Sequence, residues 1–326
     1  MEIALCTDDN YIIPTIIFIK SIEINNINED INYNIIYEDL KKENKQKLSY
    51  SLTNKKSTIT FYQINTDILK DCPIRIEDHV TLATYYRLLF PSIFPKSVSK
   101  ILYLDSDILC LGSLSTFYEQ NLTNYSCSVI HDERNNDESI FNRLNYSKSN
   151  GYFNAGVMLI NLEYWRENKI QEKTLNFIQT NKEKCLWHDQ DALNYVLNNT
   201  VKWSDFKYNF TQGFFFNKKD LLISSTYYKA IDNASNNICL VHFSSAYKPW
   251  HIECNHPLKS YYREFYTKIF GKKMKLTHKL KGFNLIKWRI KKYLTIFKIK
   301  SYVDFRKPIL VVSPPHTHYK NLIIKN

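Results

Sequence analysis

Short apolar segments alternate with longer polar or amphipathic segments along most of the chain. Short apolar runs are typical of buried strands, and the mixed segments between them are typical of helices. This alternation predicts an α/β fold with a mostly parallel sheet. The predicted strands are 3–7, 31–37, 57–64, 101–104, 126–130 and 152–162. Three helices are predicted: one that begins near Pro14, one over 40–52, and one that Thr81 caps and that extends through Phe90, where Pro91 ends it.

Acidic residues stand directly after several of these predicted strands. Asp8 follows the first strand, Asp105 the fourth and Asp132 the fifth. In parallel sheets, ligands bind beyond the carboxyl ends of the strands. We therefore expect the three carboxylates to converge on one edge of the sheet and to form part of a binding site.

Two acids are separated by a single residue in Asp105-Ser106-Asp107. If the segment is extended, residues at i and i+2 project to the same side, so both carboxylates point together. Neighbouring carboxylates repel each other and are costly to bury unless a cation lies between them. A hard divalent cation such as Mn²⁺ or Mg²⁺ suits these oxygen ligands. The alternative is a turn in which one acid caps a following helix.

Glycine-rich phosphate-binding loops do not occur in this sequence. No Gly-x-Gly-x-x-Gly follows the first predicted strand, no Gly-x-x-x-x-Gly-Lys occurs, and the chain has six glycines in all. A bound phosphate would therefore be held by a metal ion and by cationic side chains.

The composition is that of a folded globular protein. Hydrophobic residues make up 44% and aromatic residues 15% of the 326 residues, which excludes a disordered chain and allows one large domain with an appendage, or two domains.

The seven cysteines form no Cys-x-x-Cys pair, so we expect neither a zinc ribbon nor a disulfide framework, and a reducing cytosol is the simpler environment. We expect no signal peptide and no membrane-spanning segment, because no sufficiently long apolar run occurs.

Positive charge is concentrated near the carboxyl terminus. The stretch between Glu264 and Asp304 contains eleven lysines, Arg289 and no acid, which matches the whole net charge of +12. Within 283–299, apolar residues recur at helical spacing and lysines fall largely on the other side. The apolar positions are Ile286, Ile290, Tyr293, Leu294 and Phe297, and the lysines are Lys287, Lys291 and Lys298.

A basic amphipathic helix of this kind, which here also carries Trp288, is typical of attachment to an anionic membrane surface. The alternative is an ordinary helix that packs on the rest of the protein. Membrane attachment is favoured, because so many like charges in a row would otherwise repel one another.

Four further segments place polar residues in or beside apolar runs. Each has an ordinary structural alternative: a bulge at Asn154, a helix cap at Asp189, a core histidine at His242 or a solvated charge at Lys248. The segments are His131-Asp132, 152–162 with Asn154-Ala155-Gly156, 187–194 with Asp189-Gln190-Asp191, and 241–250 with His242, Ser245 and Lys248.

Together with Asp105-Ser106-Asp107, these segments resemble glycosyltransferase family 8, the metal-dependent retaining enzymes with the GT-A fold. The resemblance runs in order from about residue 3 to residue 250. It is strongest to bacterial lipopolysaccharide and lipooligosaccharide α-galactosyl- and α-glucosyltransferases. The resemblance implies that Asp105, Asp107 and His242 hold Mn²⁺ or Mg²⁺ and that Lys248 holds the diphosphate, with a further contact from Ser245, where many relatives have glycine. It also implies that Asp8 and Asn10 hold the uridine and that Arg87 contacts the sugar nucleotide. The residues implied to contact the donor sugar are Asp132, Asn154, Asp189 and Gln190.

The implied chemistry suits these residue types. Cleavage of a sugar–diphosphate bond produces an oxocarbenium-like sugar and a multiply charged leaving group, which a metal ion and Lys248 can neutralise. Retention requires either a double displacement or delivery of the acceptor to the same face. Gln190 is the one candidate nucleophile at the family position, and an amide is a poor nucleophile. Same-face attack is therefore favoured, with Gln190 stabilising the cationic sugar.

The resemblance and the basic tail together predict a GT-A catalytic domain over 1–265 and a membrane-attachment region over 266–326. The expected enzyme moves galactose or glucose from a UDP-sugar to a lipid-linked saccharide, at the inner face of the cytoplasmic membrane, and binds no nucleic acid. Two alternatives remain at this stage. One is a UDP-hexose-dependent protein glycosyltransferase, and the other is a non-catalytic membrane or nucleic-acid binder with a decayed transferase domain.

Overall fold

A computed structural model describes residues 1–74, 81–216 and 221–296. The strands are β1 Glu2–Cys6, β2 Asn32–Tyr37, β3 Thr58–Gln63, β4 Lys100–Leu104, β5 Ile108–Cys110, β6 Cys127–His131, β7 Phe153–Asn161, β8 Val201–Trp203, β9 Phe210–Thr211 and β10 Leu240–His242. The α-helices are α1 Ile12–Asn25, α2 Lys42–Ser49, α3 Phe90–Ile93, α4 Ser115–Tyr118, α5 Glu138–Leu144, α6 Leu162–Glu167, α7 Ile170–Thr180, α8 His188–Leu197, α9 Tyr228–Ser235, α10 Lys259–Phe270 and α11 Gly282–Ile296.

The main sheet has seven described strands in the order β3-β2-β1-β4-β7-β6-β8. Neighbouring strands are parallel except at β7, which runs antiparallel to both β4 and β6. The predicted α/β fold with a mostly parallel sheet is therefore confirmed. A second sheet of three short strands, in the order β5-β10-β9, extends from the end of β4.

Helices cover both faces of the main sheet, so its central strands are buried on both sides, as in other helix-covered parallel sheets. Side chains alternate along each strand. In β4, Leu102 and Leu104 accordingly belong to the apolar cluster that includes α1, whereas Ile101 and Tyr103 belong to the cluster on the opposite face, with α6, α7 and α8.

The segment after Thr81 differs from the prediction. Thr81 does cap it, since its hydroxyl accepts a hydrogen bond from Ala83 N, but Leu82–Leu89 is a 3₁₀ helix. The prediction that Pro91 ends the helix is wrong, because Pro91 lies in the first turn of α3. A proline is tolerated there, since backbone N–H groups in the first turn have no partner within the helix.

The expectation that Asp105 and Asp107 lie on one extended segment is also wrong in detail. β4 ends at Leu104, and Asp105-Ser106-Asp107 forms a turn that leads into β5. No helix follows the turn within the described β4–β5 segment, so the helix-cap alternative does not hold either.

The predicted carboxyl-terminal helix is present as α11, as far as the described residues extend. Phe297, Lys298 and residues 301–326 lie outside the described residues. Among the described helices, none combines the length and the apolar character that crossing a membrane requires. The chain between residue 265 and α11 contacts the larger unit, since Phe270 and Met274 pack against its core and Thr277 pairs with His251.

Candidate active site

A cavity of about 730 Å³ opens at the edge of the main sheet where β1, β4 and β6 end. Asp8, Asp105 and Asp132 all line it, as the positions of the strand ends predicted. β7 runs the opposite way, so its amino-terminal end, with Asn154, reaches the same edge. Of the predicted site residues, Asn10 does not line the cavity; those that do are Asp8, Arg87, Asp105, Asp107, Asp132, Asn154, Asp189, Gln190, His242, Ser245 and Lys248.

Asp105, Asp107 and His242 form a cluster in which one ligand atom from each lies within 4.8 Å of the others. The antiparallel pairing of β5 with β10 brings it together, because His242 pairs with Ile108 and Phe243 N–H donates to Asp107 O (3.0 Å). His242 Nε2 lies 3.2 Å from Asp107 Oδ1 and 3.7 Å from Asp105 Oδ2. Three atoms with the chemistry of metal ligands therefore converge.

The surroundings of this cluster fit a divalent cation. Asp107 Oδ1 is buried and receives no hydrogen bond. The other ring nitrogen of His242, Nδ1, lies 2.9 Å from Asn209 Oδ1, which leaves Nε2 to face the carboxylates. A Cβ at Gly156 would lie 2.6 Å from Asp105 Oδ2 and closer still to the His242 ring, so glycine keeps this space open. A cation among these acceptor atoms would relieve their mutual repulsion.

Lys248 is the cation nearest to the cluster. Its Nζ lies 2.5 Å from Asp107 Oδ2 and donates to Phe243 O at 2.9 Å. Burial by itself would raise the pKa of Asp107, but the Lys248 ammonium opposes burial, and that pKa lies well below its usual range. Asp107 is therefore ionised, as a metal ligand must be.

Arg87 links the cluster of Asp105, Asp107 and His242 to Asp189. Its Nη2 lies 3.3 Å from Asp105 Oδ1 and its Nε lies 3.0 Å from Asp189 Oδ2. The Nε–H itself points to Thr84 O, so the contact with Asp189 Oδ2 is an ion pair rather than a hydrogen bond. Thr84 also donates from its hydroxyl to Asp189 Oδ1 (2.7 Å). Both Arg87 and Asp189 are buried, so water does not solvate their charges, and each side chain compensates the charge of the other.

Asp132, Asn154 and Gln190 form a second group of hydrogen-bonded side chains in the lining of the cavity. Asp132 Oδ2 accepts hydrogen bonds from Asn154 Nδ2 (3.1 Å) and Gln190 Nε2 (3.3 Å). Gln190 Nε2 also donates to the Tyr152 hydroxyl (3.1 Å), and Gln190 Oε1 accepts from Ala155 N (3.0 Å). Burial raises the pKa of Asp132, although these hydrogen bonds partly oppose it.

An irregularity in β7 makes these contacts possible. The register with β6 shifts after Val129, which pairs with Met158, so that Ile130 pairs with Asn154. Backbone groups that do not pair with β6 at this point form hydrogen bonds with site residues instead. Ala155 N donates to Gln190, and Ala155 O accepts from Arg87 Nη1. The bulge considered as an alternative for Asn154 is therefore real, and it is also what shapes the site, as bulges next to active sites often do.

Comparison with known proteins identifies the family. Residues 2–254 match the model of glycosyl transferase family 8. The chain belongs to this family.

Two curated proteins illustrate the degree of sequence similarity. Lipopolysaccharide 1,2-glucosyltransferase of Escherichia coli is 31% identical over 265 residues, which are 79% of this chain and 76% of that protein. General stress protein A of Bacillus subtilis is 28% identical over 277 residues, which are 82% of this chain and 94% of that protein.

Among solved structures, the galactosyltransferase LgtC in complex with donor and acceptor sugar analogs matches with a TM-score of 0.75. The match is 24% identical and covers 89% of this chain and all of that chain. It confirms the GT-A-like fold of this family 8 chain.

At the rim of this family 8 site, Asp8 and Ser245 have local structural partners. Asp8 Oδ1 accepts hydrogen bonds from the backbone N–H groups of Asn10 (2.9 Å) and Tyr11 (3.1 Å), which shapes the turn before α1. Asn10 itself is exposed beside the cavity. Ser245 Oγ accepts from Tyr247 N (3.2 Å) in the loop between His242 and Lys248. The predicted contacts of these residues with nucleotide stay predictions.

Several site residues were not predicted from the sequence. Thr84 and Tyr152 stood within recognised segments without an assigned role. Glu133 follows Asp132 and lines the cavity, where its Oε2 accepts from Thr211 Oγ1 (2.9 Å) and Gly213 N (2.7 Å). Lys279 reaches the cavity from the chain before α11. No local pattern marks Lys279, because it stands among many lysines.

Proposed function

We propose that this family 8 glycosyltransferase transfers glucose or galactose from a UDP-sugar to the saccharide of a lipopolysaccharide or lipooligosaccharide core, with retention of anomeric configuration. The observation that carries the proposal is that Asp105, Asp107, His242 and Lys248 line the same cavity as Asp132 and Gln190. The relative named as a lipopolysaccharide glucosyltransferase supports the choice of acceptor.

Mn²⁺ or Mg²⁺ held by Asp105, Asp107 and His242 would stabilise the negative charge that develops on the leaving diphosphate. Lys248 supplies a second positive charge, and Lys279 lines the same cavity. Lys248 is paired with Asp107. A diphosphate is a better partner for an ammonium group than a single carboxylate that also binds a metal, so Lys248 turns towards the substrate when it arrives.

The donor sugar lies against Asp132, Asn154 and Gln190 in this proposal. The carboxylates of Asp132 and Asp189 are already engaged by neighbouring donors, Asp189 by Arg87 and Thr84. Neither is therefore free to serve as a nucleophile without breaking these contacts. Same-face delivery of the acceptor is accordingly favoured over a double displacement. The carbonyl of Gln190 accepts from Ala155 N and keeps a second lone pair, with which it stabilises the cationic sugar.

Attachment to an anionic membrane through α11 would bring the enzyme to a lipid-linked acceptor. Phe283, Ile286, Ile290 and Tyr293 are 77%, 55%, 55% and 67% exposed, so this apolar side of α11 is not buried by the described part of the chain. The lysines of the helix add attraction to anionic lipid. On this proposal the enzyme works at the inner face of the cytoplasmic membrane.

The test is hydrolysis of UDP-glucose and UDP-galactose by the full-length protein, with Mn²⁺, with Mg²⁺ and with EDTA. We expect release of UDP from one of the two donors with metal present and none with EDTA. Transfer to purified lipooligosaccharide core and to a peptide panel then identifies the acceptor. Metal-independent hydrolysis would contradict the metal assignment, and transfer to peptide alone would contradict the saccharide acceptor.

A further inference from the structure

Asn209 contacts two residues that line the cavity, His242 and Asn154, although it does not line the cavity itself. It stands between the 3₁₀ helix Phe206–Tyr208 and β9, and its side chain is fully buried. Its Oδ1 lies 2.9 Å from His242 Nδ1, and its Nδ2 donates to Asn154 Oδ1 at 2.9 Å. A buried amide with both ends engaged links the histidine of the metal cluster to an asparagine on the donor-sugar side.

The directions of the hydrogen bonds that connect Asp132, Asn154, Asn209 and His242 follow from groups that can only donate or can only accept. The backbone N–H of Gly156 can only donate, and it donates to Asn154 Oδ1 (3.1 Å). The carboxylate of Asp132 can only accept, and it receives Asn154 Nδ2 (3.1 Å). The orientation of the Asn154 amide is therefore determined at both of its ends.

The orientation of Asn209 and the tautomer of His242 follow from that of Asn154. The atom of Asn209 next to Asn154 Oδ1 must be the amide nitrogen, because two oxygens would repel. Asn209 Oδ1 then faces His242, so the ring must carry a proton on Nδ1. A neutral ring protonated on Nδ1 has its lone pair on Nε2, the nitrogen that faces Asp105 and Asp107.

We propose that Asn209 is a positioning residue that fixes the Nδ1–H tautomer of His242 and thereby presents Nε2 to the metal ion. The part that concerns the metal rests on the proposed function. The unbound imidazole ring does not favour this tautomer by itself, so the protein must impose it. Partners of this kind behind a metal-binding histidine typically change metal affinity about 10–100-fold. The same link makes the metal ligand sensitive to how Asn154 and Asp132 are placed.

The tautomer is measured directly, without metal and without substrate, on protein labelled with ¹⁵N-histidine at alkaline pH. The signals of His242 are assigned with the His242→Gln variant. We expect wild-type His242 to show the proton on Nδ1, and Asn209→Leu to shift it to Nε2 or to a mixture. A wild-type ring protonated on Nε2 would overturn the proposal, and this readout does not depend on transferase activity.

Metal affinity supplies the second readout, by titration of Mn²⁺ into each variant and detection of bound ion by electron paramagnetic resonance. Asn209→Leu should raise the dissociation constant about 10–100-fold. The matched control is Asn34→Leu, which removes another fully buried, hydrogen-bonded asparagine that does not line the cavity. Equal Mn²⁺ affinity in the two variants would overturn the role of Asn209. If wild-type protein binds no Mn²⁺, the metal assignment of the proposed function fails, while the tautomer measurement still decides whether Asn209 positions His242.

A third variant separates the two contacts of Asn209. Asn209→Asp keeps an acceptor for His242 Nδ1–H but places a second oxygen against Asn154 Oδ1. We expect Mn²⁺ affinity to stay within a few-fold of the wild-type value, while turnover of UDP-hexose falls because Asn154 is displaced. Loss of Mn²⁺ affinity as large as in Asn209→Leu would show that an acceptor at this place is not what holds His242, and would contradict the proposal.

Discussion

Lys248 Nζ lies 2.5 Å from Asp107 Oδ2, although the two residues are 141 positions apart in the chain. The residue proposed to bind diphosphate and a residue proposed to bind metal thus form one ion pair. Lys248 also lowers the pKa of Asp107 against the effect of burial. We therefore expect substrate and metal binding to be coupled through this pair.

Replacing Lys248 with Met should weaken UDP binding about tenfold, the order of 1.4 kcal/mol for a charged contact. It should also raise the pKa of Asp107, so that Mn²⁺ binding is lost at a higher pH than in the wild type as the solution is acidified. Calorimetric titrations of UDP and of Mn²⁺ over a pH series measure both effects. Lys56→Met, which removes an exposed lysine, is the control. An unchanged pH profile of Mn²⁺ binding would contradict the coupling.

Removal of either acidic metal ligand should abolish turnover. Asp105→Ala and Asp107→Ala each delete a charged ligand of the proposed ion, and we expect the variants to remain folded, as judged by circular dichroism. Asp30→Ala, a change at an exposed carboxylate that pairs with Lys56, should leave activity unchanged. Full activity in the double variant, or in EDTA, would show that the reaction does not need this metal site.

Gln190→Ala should lower the turnover number by one to two powers of ten and change UDP affinity little. Gln190 contacts Asp132, Tyr152 and Ala155, all on the side proposed for the donor sugar. The expected loss corresponds to ~1.4–2.8 kcal/mol of transition-state stabilisation. Steady-state kinetics and UDP titration measure the two quantities, with Gln171→Ala outside the cavity as the control. Weak UDP binding with normal turnover would place Gln190 on the nucleotide side instead.

Acid should destabilise the protein through His131. The ring is buried and stacked on Trp203 (centroids 3.6 Å apart), and burial lowers its pKa from 6.5 to about 4. The unfolded chain therefore binds this proton more readily than the folded one. The contribution of His131 to the free energy of unfolding should be fully present above pH 6.5. The free energy of unfolding should fall, on the order of 1–3 kcal/mol, as the pH decreases towards about 4.

Denaturant unfolding of the wild type and of His131→Phe across this pH range measures that effect. The variant keeps a ring against Trp203 but cannot take up a proton. Its free energy of unfolding should match the wild type near neutral pH within about 1 kcal/mol. It should depend less on pH below 6.5. An identical pH dependence in both proteins would assign the acid sensitivity to other groups.

Truncation tests the membrane attachment of α11. The predicted division at residue 265 stays a prediction, but α10 continues to Phe270 and Lys279 lines the cavity, so the cut is best placed after Lys281. The truncated chain should still hydrolyse UDP-hexose and should lose binding to anionic vesicles. Co-sedimentation at low and high salt measures binding, which should weaken with salt because screening shortens the range of the attraction.

A point variant makes the same test without shortening the chain. Ile286→Ser together with Ile290→Ser should reduce vesicle binding. Ile27→Ser, which changes an isoleucine 65% exposed elsewhere on the surface, should not. Equal partitioning of the full-length and truncated chains would contradict membrane attachment. Aggregation of the truncated chain would instead indicate that α11 covers the catalytic unit.

Local sequence pattern determined the fold class and the place of the site. Short apolar strands that alternate with helices predicted the sheet, and the acids after β1, β4 and β6 marked its ligand-binding edge, because the ends of parallel strands meet at one edge whatever the loops do. The order of the polar segments along the chain was sufficient to indicate the family. These features are contiguous in sequence, so they could be recognised without knowledge of any long-range contact.

Only the tertiary structure decided how the site residues are paired. The reversed direction of β7, its bulge at Asn154, and the contacts of Lys248 with Asp107 and of Asn209 with His242 all join distant parts of the chain. Such contacts depend on strand order and register, which short sequence windows do not encode. Asn209 illustrates the reason: its side-chain partners come from β7 and β10, so nothing beside it in the sequence distinguishes it from the other asparagines of the chain.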